Sequence, residues 1–402
     1  MFNYFITYHF STILLYISII IGATFFASLS QFSPNKKVEQ NYRELSYKNK
    51  STMGWYLVSF FILAFFACNA GVGTDKESYK LFFRVTDIDS PYEYFEPGFN
   101  LVIIIIKLFT NNDQLFLVIL SLITIAFTYK GIWSYRNEIS VGWAVFIYAS
   151  QYYFQGYNLM RMYFAMSILI LGAPFLKKES YGKYFILMLV AAMCHYSVFV
   201  AVVAYILSLW LYKKSKITLN TKFIILCIGI LFITLIAFRV LIVLINSIEV
   251  FSGKYSGYLE GLGELHIGGK VFFNLIPFIF IMLFASYTEK RKFFFSIGAG
   301  YFFVTLIISI MSYSIPMIGR TLLCLHLPVV ILLPLELKQM GNRVRAFGDA
   351  SIKIKIGHSR LIFPYYLIKI GIGIYFILAM GLYFYGYLEL DGIDKFSFFW
   401  SE

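Results

Sequence analysis

What this sequence has least of is charge: Asp, Glu, Lys and Arg make up 14% of its 402 residues, against 59% hydrophobic and 20% aromatic residues. That little charge excludes a water-exposed globular fold of this length, because the apolar surface could not be hidden in one core. Strand-like alternation is not found, which leaves helices as the backbone that bonds to itself in lipid. Cysteine is scarce as well. Cys68, Cys194, Cys227 and Cys324 lie in or beside apolar runs at no metal-ligand spacing and form no disulfide framework, so they read as core residues. A Gly-x-x-x-x-Gly-Lys nucleotide loop is missing. Asp87-Ile88-Asp89 has the spacing of an acidic metal dyad but no other strong ligand cluster beside it, and neither a metal nor a cofactor is expected. Internal repeats, low-complexity tracts and soluble domains are also lacking, so residues 1–402 read as a single membrane domain.

Present in quantity are long apolar runs. A spanning helix needs roughly 20 apolar residues, and such runs recur at Phe10–Phe32, Gly54–Ala70, Leu115–Ile132, Val141–Tyr157, Leu159–Leu176, Phe223–Ile245, Val271–Tyr287, Phe293–Ile315, Gly319–Leu337 and Leu361–Tyr387. The connections between them alternate in charge. Stretches 33–53, 130–140, 177–183, 213–222, 288–292 and 338–360 hold 23 of the 34 Lys and Arg, and the positive-inside rule assigns them to the cytoplasm. Stretches 71–96, 248–270 and 388–402 carry more acids than bases and are expected outside. The net charge of +13 is therefore a topology signal, and nucleic acid is not an expected partner. The first run lacks a basic start and is followed by the basic stretch Lys36 to Lys50, so it reads as a retained helix with its N-terminus outside.

Two segments break the simple pattern. Tyr184–Tyr212 is one apolar run with lysines at both ends, so both ends belong inside; the consistent solution is a hairpin of short helices, Tyr184–Met193 and Ser197–Tyr212, turning at Cys194-His195-Tyr196. Gly98–Phe109 is too short to cross and contains Lys107, which reads as an interfacial or re-entrant helix started by Pro97. The expected fold is all-α and polytopic, with about twelve transmembrane helices and both termini outside.

Polar groups in a bilayer are costly, so those present usually line a cavity or pair with one another. Arg161 begins an apolar run after the polar aromatic stretch from Gln151 through Gln155 to Tyr157 and Asn158; it reads as a cavity wall or as a snorkelling headgroup anchor. Arg320 follows a Pro/Gly break, and two guanidiniums at one level would suit a phosphate or diphosphate. Arg239 is a third candidate. His195, at the tip of the hairpin beside Tyr196 and Ser197, is either a general base or a satisfied core histidine. His326 lies within a run and reads as core. The loop 71–96 carries Gly71-Val72-Gly73-Thr74-Asp75, then Tyr79, then Glu96-Pro97-Gly98: a site wall with Asp75 and Glu96 as acceptors or bases, or a solvated loop with an aromatic belt.

Gly-Val-Gly-Thr-Asp at 71–75 with Tyr79 and Phe82, the Glu96-Pro97-Gly98 step, Asn158-Leu159-Met160-Arg161 with Ala165, and His195-Tyr196-Ser197 together resemble the EpsG-type and Wzy-type polysaccharide polymerases of bacterial inner membranes. The resemblance covers most of the first 210 residues. It implies a periplasm-facing polymerase that joins undecaprenyl-diphosphate-linked oligosaccharide repeats into O-antigen or a related polymer, without a nucleotide sugar. A chain-length regulator is a partner such a polymerase implies. Relatives often carry an Arg shortly before the Gly-Thr-Asp stretch, where this chain has Ala67-Cys68-Asn69-Ala70, so that role would pass to Arg84 or Arg239.

On this reading Arg161, Arg320 and Arg239 bind diphosphate, while His195, Asp75 or Glu96 handles the acceptor proton. Tyr79, Asn158, Tyr157 and Gln155 face sugar. A flippase for the same lipid-linked oligosaccharide would need cations too, but should show two repeated halves and charges spread along a path. Another lipid-dependent transferase, such as an O-antigen ligase or an acyltransferase, is the remaining alternative.

Overall fold

The computed structural model describes residues 2–31, 52–92, 95–214, 229, 268–288, 290–314, 316–347, 351–356 and 359–400. The described chain is helical apart from one short hairpin. Eight of its helices are long and apolar enough to cross a membrane, as the composition requires, so this is an integral membrane protein. Nearly all of the expected run Phe223–Ile245, Arg239 within it, and most of the loop 248–270 lie outside the described residues.

The described residues form two compact units, 1–198 with 366–402, and 199–365. The first contains α1 (Phe2–Leu29), α2 (Met53–Asn69), α3 (Lys76–Val85), α4 (Pro97–Lys107), α5 (Asp113–Ser134), α6 (Val141–Tyr148), α7 (Met160–Leu171), α8 (Ala173–Lys177) and α9 (Tyr181–Cys194). Here α1 packs on α2 and α6, α5 on α2 and α7, and α9 on α7 and α4. Hydroxyls bond these helices where lipid supplies no water: Tyr56 donates to the Tyr129 carbonyl at 2.7 Å, and the Ser59 and Tyr129 hydroxyls lie 2.8 Å apart. Tyr16, fully buried, stacks on Phe154 and donates to the Ile393 carbonyl, tying the chain's end to α1.

Two expectations are met at the elements that matter for the site. The short segment after Pro97 is a helix with proline in its first turn, and its Lys107 is held by Asp87 at 2.8 Å. The break expected at Cys194-His195-Tyr196 is present: α9 ends at Cys194, His195 is extended with φ −159° and ψ 117°, and a 3-10 turn at Tyr196–Val198 follows. A third is modified. The run Val141–Tyr157 is not one α-helix, since α6 passes into a π turn at Ala149–Tyr153 and a 3-10 turn at Phe154–Tyr157. Gln151 sits in that irregular backbone and donates to the Phe376 carbonyl at 2.8 Å, consistent with π turns marking functional segments.

The second unit contains α10 (Phe199–Lys214), α11 (Gly269–Phe284), α12 (Arg291–Ser314) and α13 (Val329–Phe347), with α12 packed against both α10 and α11. The sequence misled at its end. The run Gly319–Leu337 is interrupted at Leu327-Pro328, and α13 continues past Leu337 to Phe347, into a stretch expected as loop. Strand alternation, expected to be absent, occurs in Ser351–Ile356 (β1), which pairs antiparallel with Ser359–Pro364 (β2), Ser351 opposite Pro364 and Ile356 opposite Ser359. The alternating Ile-Lys-Ile-Lys-Ile of β1 is a period-2 pattern only six residues long, easily lost among longer apolar runs. Because β2 takes residues 359–364, the last helix, α14 (Tyr365–Tyr387), starts later than the expected Leu361.

Candidate active site

Three segments remote in sequence meet at one carboxyl. Glu96 precedes α4, and its side chain is 6% exposed. Its Oε2 accepts from Arg161 Nη1 at 2.8 Å, and its Oε1 accepts from the backbone N–H of Tyr196 at 3.0 Å and lies 3.0 Å from His195 Nδ1. Local sequence explains each arrival. Pro97 starts α4 and leaves Glu96 extended, with no side-chain cap bond to the helix it precedes. Arg161 falls in the first turn of α7 because Leu159, with φ −93° and ψ 46°, breaks the preceding turns. The Tyr196 N–H reaches Glu96 because α9 has stopped two residues before it.

The close approach of α4 to α9 depends on Gly98. A Cβ there would lie 2.8 Å from the Met193 carbonyl carbon and oxygen, so a side chain would push the two helices, and with them Glu96 and His195, apart.

Burial opposes ionisation of Glu96, but the His195 hydrogen bond, the Arg161 charge and the Tyr196 N–H outweigh it and hold the carboxyl below its ordinary value. An ionised carboxylate only accepts, so His195 Nδ1 carries the proton and donates to it. In the neutral imidazole Nε2 is then the acceptor, the arrangement a general base needs. Arg161 also lies over the Phe95 ring, 4.5 Å from its centroid. Its buried Nε has no hydrogen-bond partner among the described residues.

A second layer carries the loop 71–75. Asn158, 2% exposed, accepts from the Thr74 hydroxyl and the Asp75 N–H on Oδ1, each at 2.9 Å, and donates from Nδ2 to Asp391 Oδ1 at 3.1 Å. Asp75 precedes α3, whose buried Tyr79 lies within electrostatic reach of Arg161, Asp75 and Glu96. Burial, only partly offset by Arg161, pushes the Tyr79 hydroxyl up to about 12, so it serves as a neutral hydrogen-bonding group.

Asp75, Tyr79, Glu96, Asn158, Arg161 and His195 thus gather in one unit. The others go elsewhere. Tyr157 is buried with its hydroxyl on Tyr153 at 2.9 Å, and Gln155 donates to the Gln151 carbonyl at 2.7 Å. Arg320 is exposed in the turn between two short helices of the second unit. Arg84 is exposed and paired with Asp113, and His326 is buried against Phe278. Among the described residues, no three His, Cys, Asp or Glu side chains gather as a metal-ligand set.

A family model for EpsG matches residues 53–348, a stretch that includes Asp75, Glu96, Arg161 and His195. The chain belongs to the EpsG family. Its members are Wzy-type, polysaccharide polymerase-like membrane proteins, so the resemblance carried by the 71–75, 96–98, 158–161 and 195–197 motifs is borne out. No curated protein and no solved structure matches the chain. In this EpsG-family chain, sequence reasoning found the hub but missed Asp391, which lies beyond the matched residues and 233 positions from its partner Asn158. The only trace of it in the sequence is an acidic stretch after the last apolar run.

Proposed function

We propose that this EpsG-family protein joins lipid-diphosphate-linked oligosaccharide repeats, carried on undecaprenyl diphosphate, into O-antigen or a related surface polysaccharide at the periplasmic side of a bacterial inner membrane. The observation that carries the reading is the shared carboxyl of Glu96, which orients an imidazole with one oxygen and a guanidinium with the other. In the proposed reaction, His195 Nε2 takes the proton of an acceptor sugar hydroxyl as that oxygen attacks the anomeric carbon of the donor. The bond from that carbon to the lipid diphosphate breaks, and the diphosphate leaves with the electron pair. Arg161, through donors that Glu96 does not occupy, stabilises the charge growing on the leaving group. Glu96 keeps the imidazole in the accepting tautomer and stabilises the imidazolium that forms. Tyr79 and Asp75 are proposed to contact sugar hydroxyls beside this group.

Deletion of the gene with profiling of surface polysaccharide tests the assignment. Loss of long chains with single repeats still displayed supports a polymerase, whereas loss of every displayed repeat indicates transport of the repeat instead. Complementing the deletion with Arg161→Ala or His195→Gln should leave single repeats at normal protein level, because Gln keeps polarity but takes up no proton near neutral pH.

A further inference from the structure

Asp391 follows α14, is 8% exposed, and is engaged at four points. Its Oδ1 accepts from Asn158 Nδ2 at 3.1 Å and its Oδ2 from the Tyr383 hydroxyl at 2.7 Å. Its carbonyl accepts from the Thr74 N–H at 3.1 Å, and its own N–H donates to the Tyr387 carbonyl. The neighbouring backbone continues the clasp: Gly73 donates to the Gly392 carbonyl at 3.0 Å, Gly71 to Ser397 at 2.8 Å, and Phe399 to Asn69 at 3.1 Å. The three strands of chain cross so tightly that two glycines are required there. Gly73 has φ +116° and Gly392 φ +62°, and a Cβ on Gly73 would lie 2.6 Å from the Tyr157 carbonyl oxygen.

The Asp75 N–H only donates, so Asn158 must offer Oδ1 to the loop, and Asp391 accepts from the Nδ2 that this orientation turns the other way, holding the amide at both ends. We infer that Asp391 is a positioning residue for the transfer site, acting through Asn158 to hold the loop 71–75 so that Asp75 and Tyr79 stand beside Glu96 and Arg161. This rests on the polymerase reading. It also changes the role of Asn158, whose amide is engaged within the protein at both ends and supports the sugar-facing wall from behind. Misplacing such a wall by an ångström costs about 10²-fold in rate, which in a cell reads as loss of the long products.

The polarity of the Asn158–Asp391 pair supplies the test. In the deletion strain, Asp391→Ala leaves the Asn158 and Tyr383 donors unsatisfied and should lower the thermal midpoint and shorten the polymer by loss of the longest chains, and Asp391→Asn, which still accepts from Asn158 and donates to Tyr383, should recover most of what Asp391→Ala loses. Asn158→Asp sets two carboxyls against each other and should shorten the chains. The double variant Asn158→Asp/Asp391→Asn restores one donor facing one acceptor and should lengthen them again. Wild-type polymer from Asp391→Ala at normal level overturns the inference. So does a double variant with chains no longer than Asn158→Asp, and this second comparison decides the matter if Asp391→Ala fails to reach the membrane. Loss of every displayed repeat from the deletion strain itself would instead remove the polymerase reading, so the two failures are distinguishable.

Discussion

At the scale of single residues, the account depends on a carboxyl kept ionised in a mostly buried place. Burial alone would raise the pKa of Glu96; the His195 bond, the Arg161 charge and the Tyr196 N–H reverse the direction and hold it below its ordinary value of 4.5. A carboxyl whose pKa is lowered by folding stabilises the fold above its unfolded value, and that contribution is lost as pH falls through the folded one. The thermal midpoint of the detergent-solubilised protein should therefore fall below about pH 4.5 more steeply for wild type than for Glu96→Gln, whereas parallel curves would mean that Glu96 is not held this way. These contacts were half legible in the sequence. Arg161 and His195 stood out as basic groups in apolar surroundings, and Glu96 as an acid before a proline, but nothing in a linear chain says that one oxygen of Glu96 serves each.

At the scale of elements, Gly98 makes a sharper prediction. Alanine exceeds glycine in helix propensity by about 0.8–1 kcal/mol, so Gly98→Ala in an isolated α4 would stabilise. Here the added Cβ meets the Met193 carbonyl at 2.8 Å, and overpacking of this kind costs about 1–3 kcal/mol. Gly98→Ala should lower the thermal midpoint and reduce polymer length together, through separation of Glu96 from His195; an unchanged or raised midpoint would show that α4 can move without consequence. The element scale also explains which parts of the fold were readable. The break at His195 was forced by lysines at both ends of one apolar run, and α4 by its length and Lys107. The π and 3-10 turns at Ala149–Tyr157 and the β1–β2 hairpin were not readable, because the first keeps the apolar composition of a helix and the second is only six residues per strand. The final segment escaped because its hydrogen bonds run to backbone about 300 residues earlier, a relation no local pattern encodes.

At the scale of the whole molecule, the proposed sidedness comes from charge. Stretch 71–96 carries six acids and three bases, and stretch 338–360 carries six bases. In intact cells a membrane-impermeant maleimide should label Ile88→Cys, which is 75% exposed, and should label Asn342→Cys, exposed on α13, only after permeabilisation. The reverse pattern would put Glu96 and its partners on the cytoplasmic side and exclude assembly of surface repeats there. The product made by a strain whose only copy carries Glu96→Gln bears most directly on the central claim. A glutamine side chain at this position cannot accept from both Arg161 and His195 without turning its amide N–H₂ toward one of them, so at normal protein level the account predicts single repeats on the surface and no polymer ladder. A wild-type ladder from that strain would contradict it.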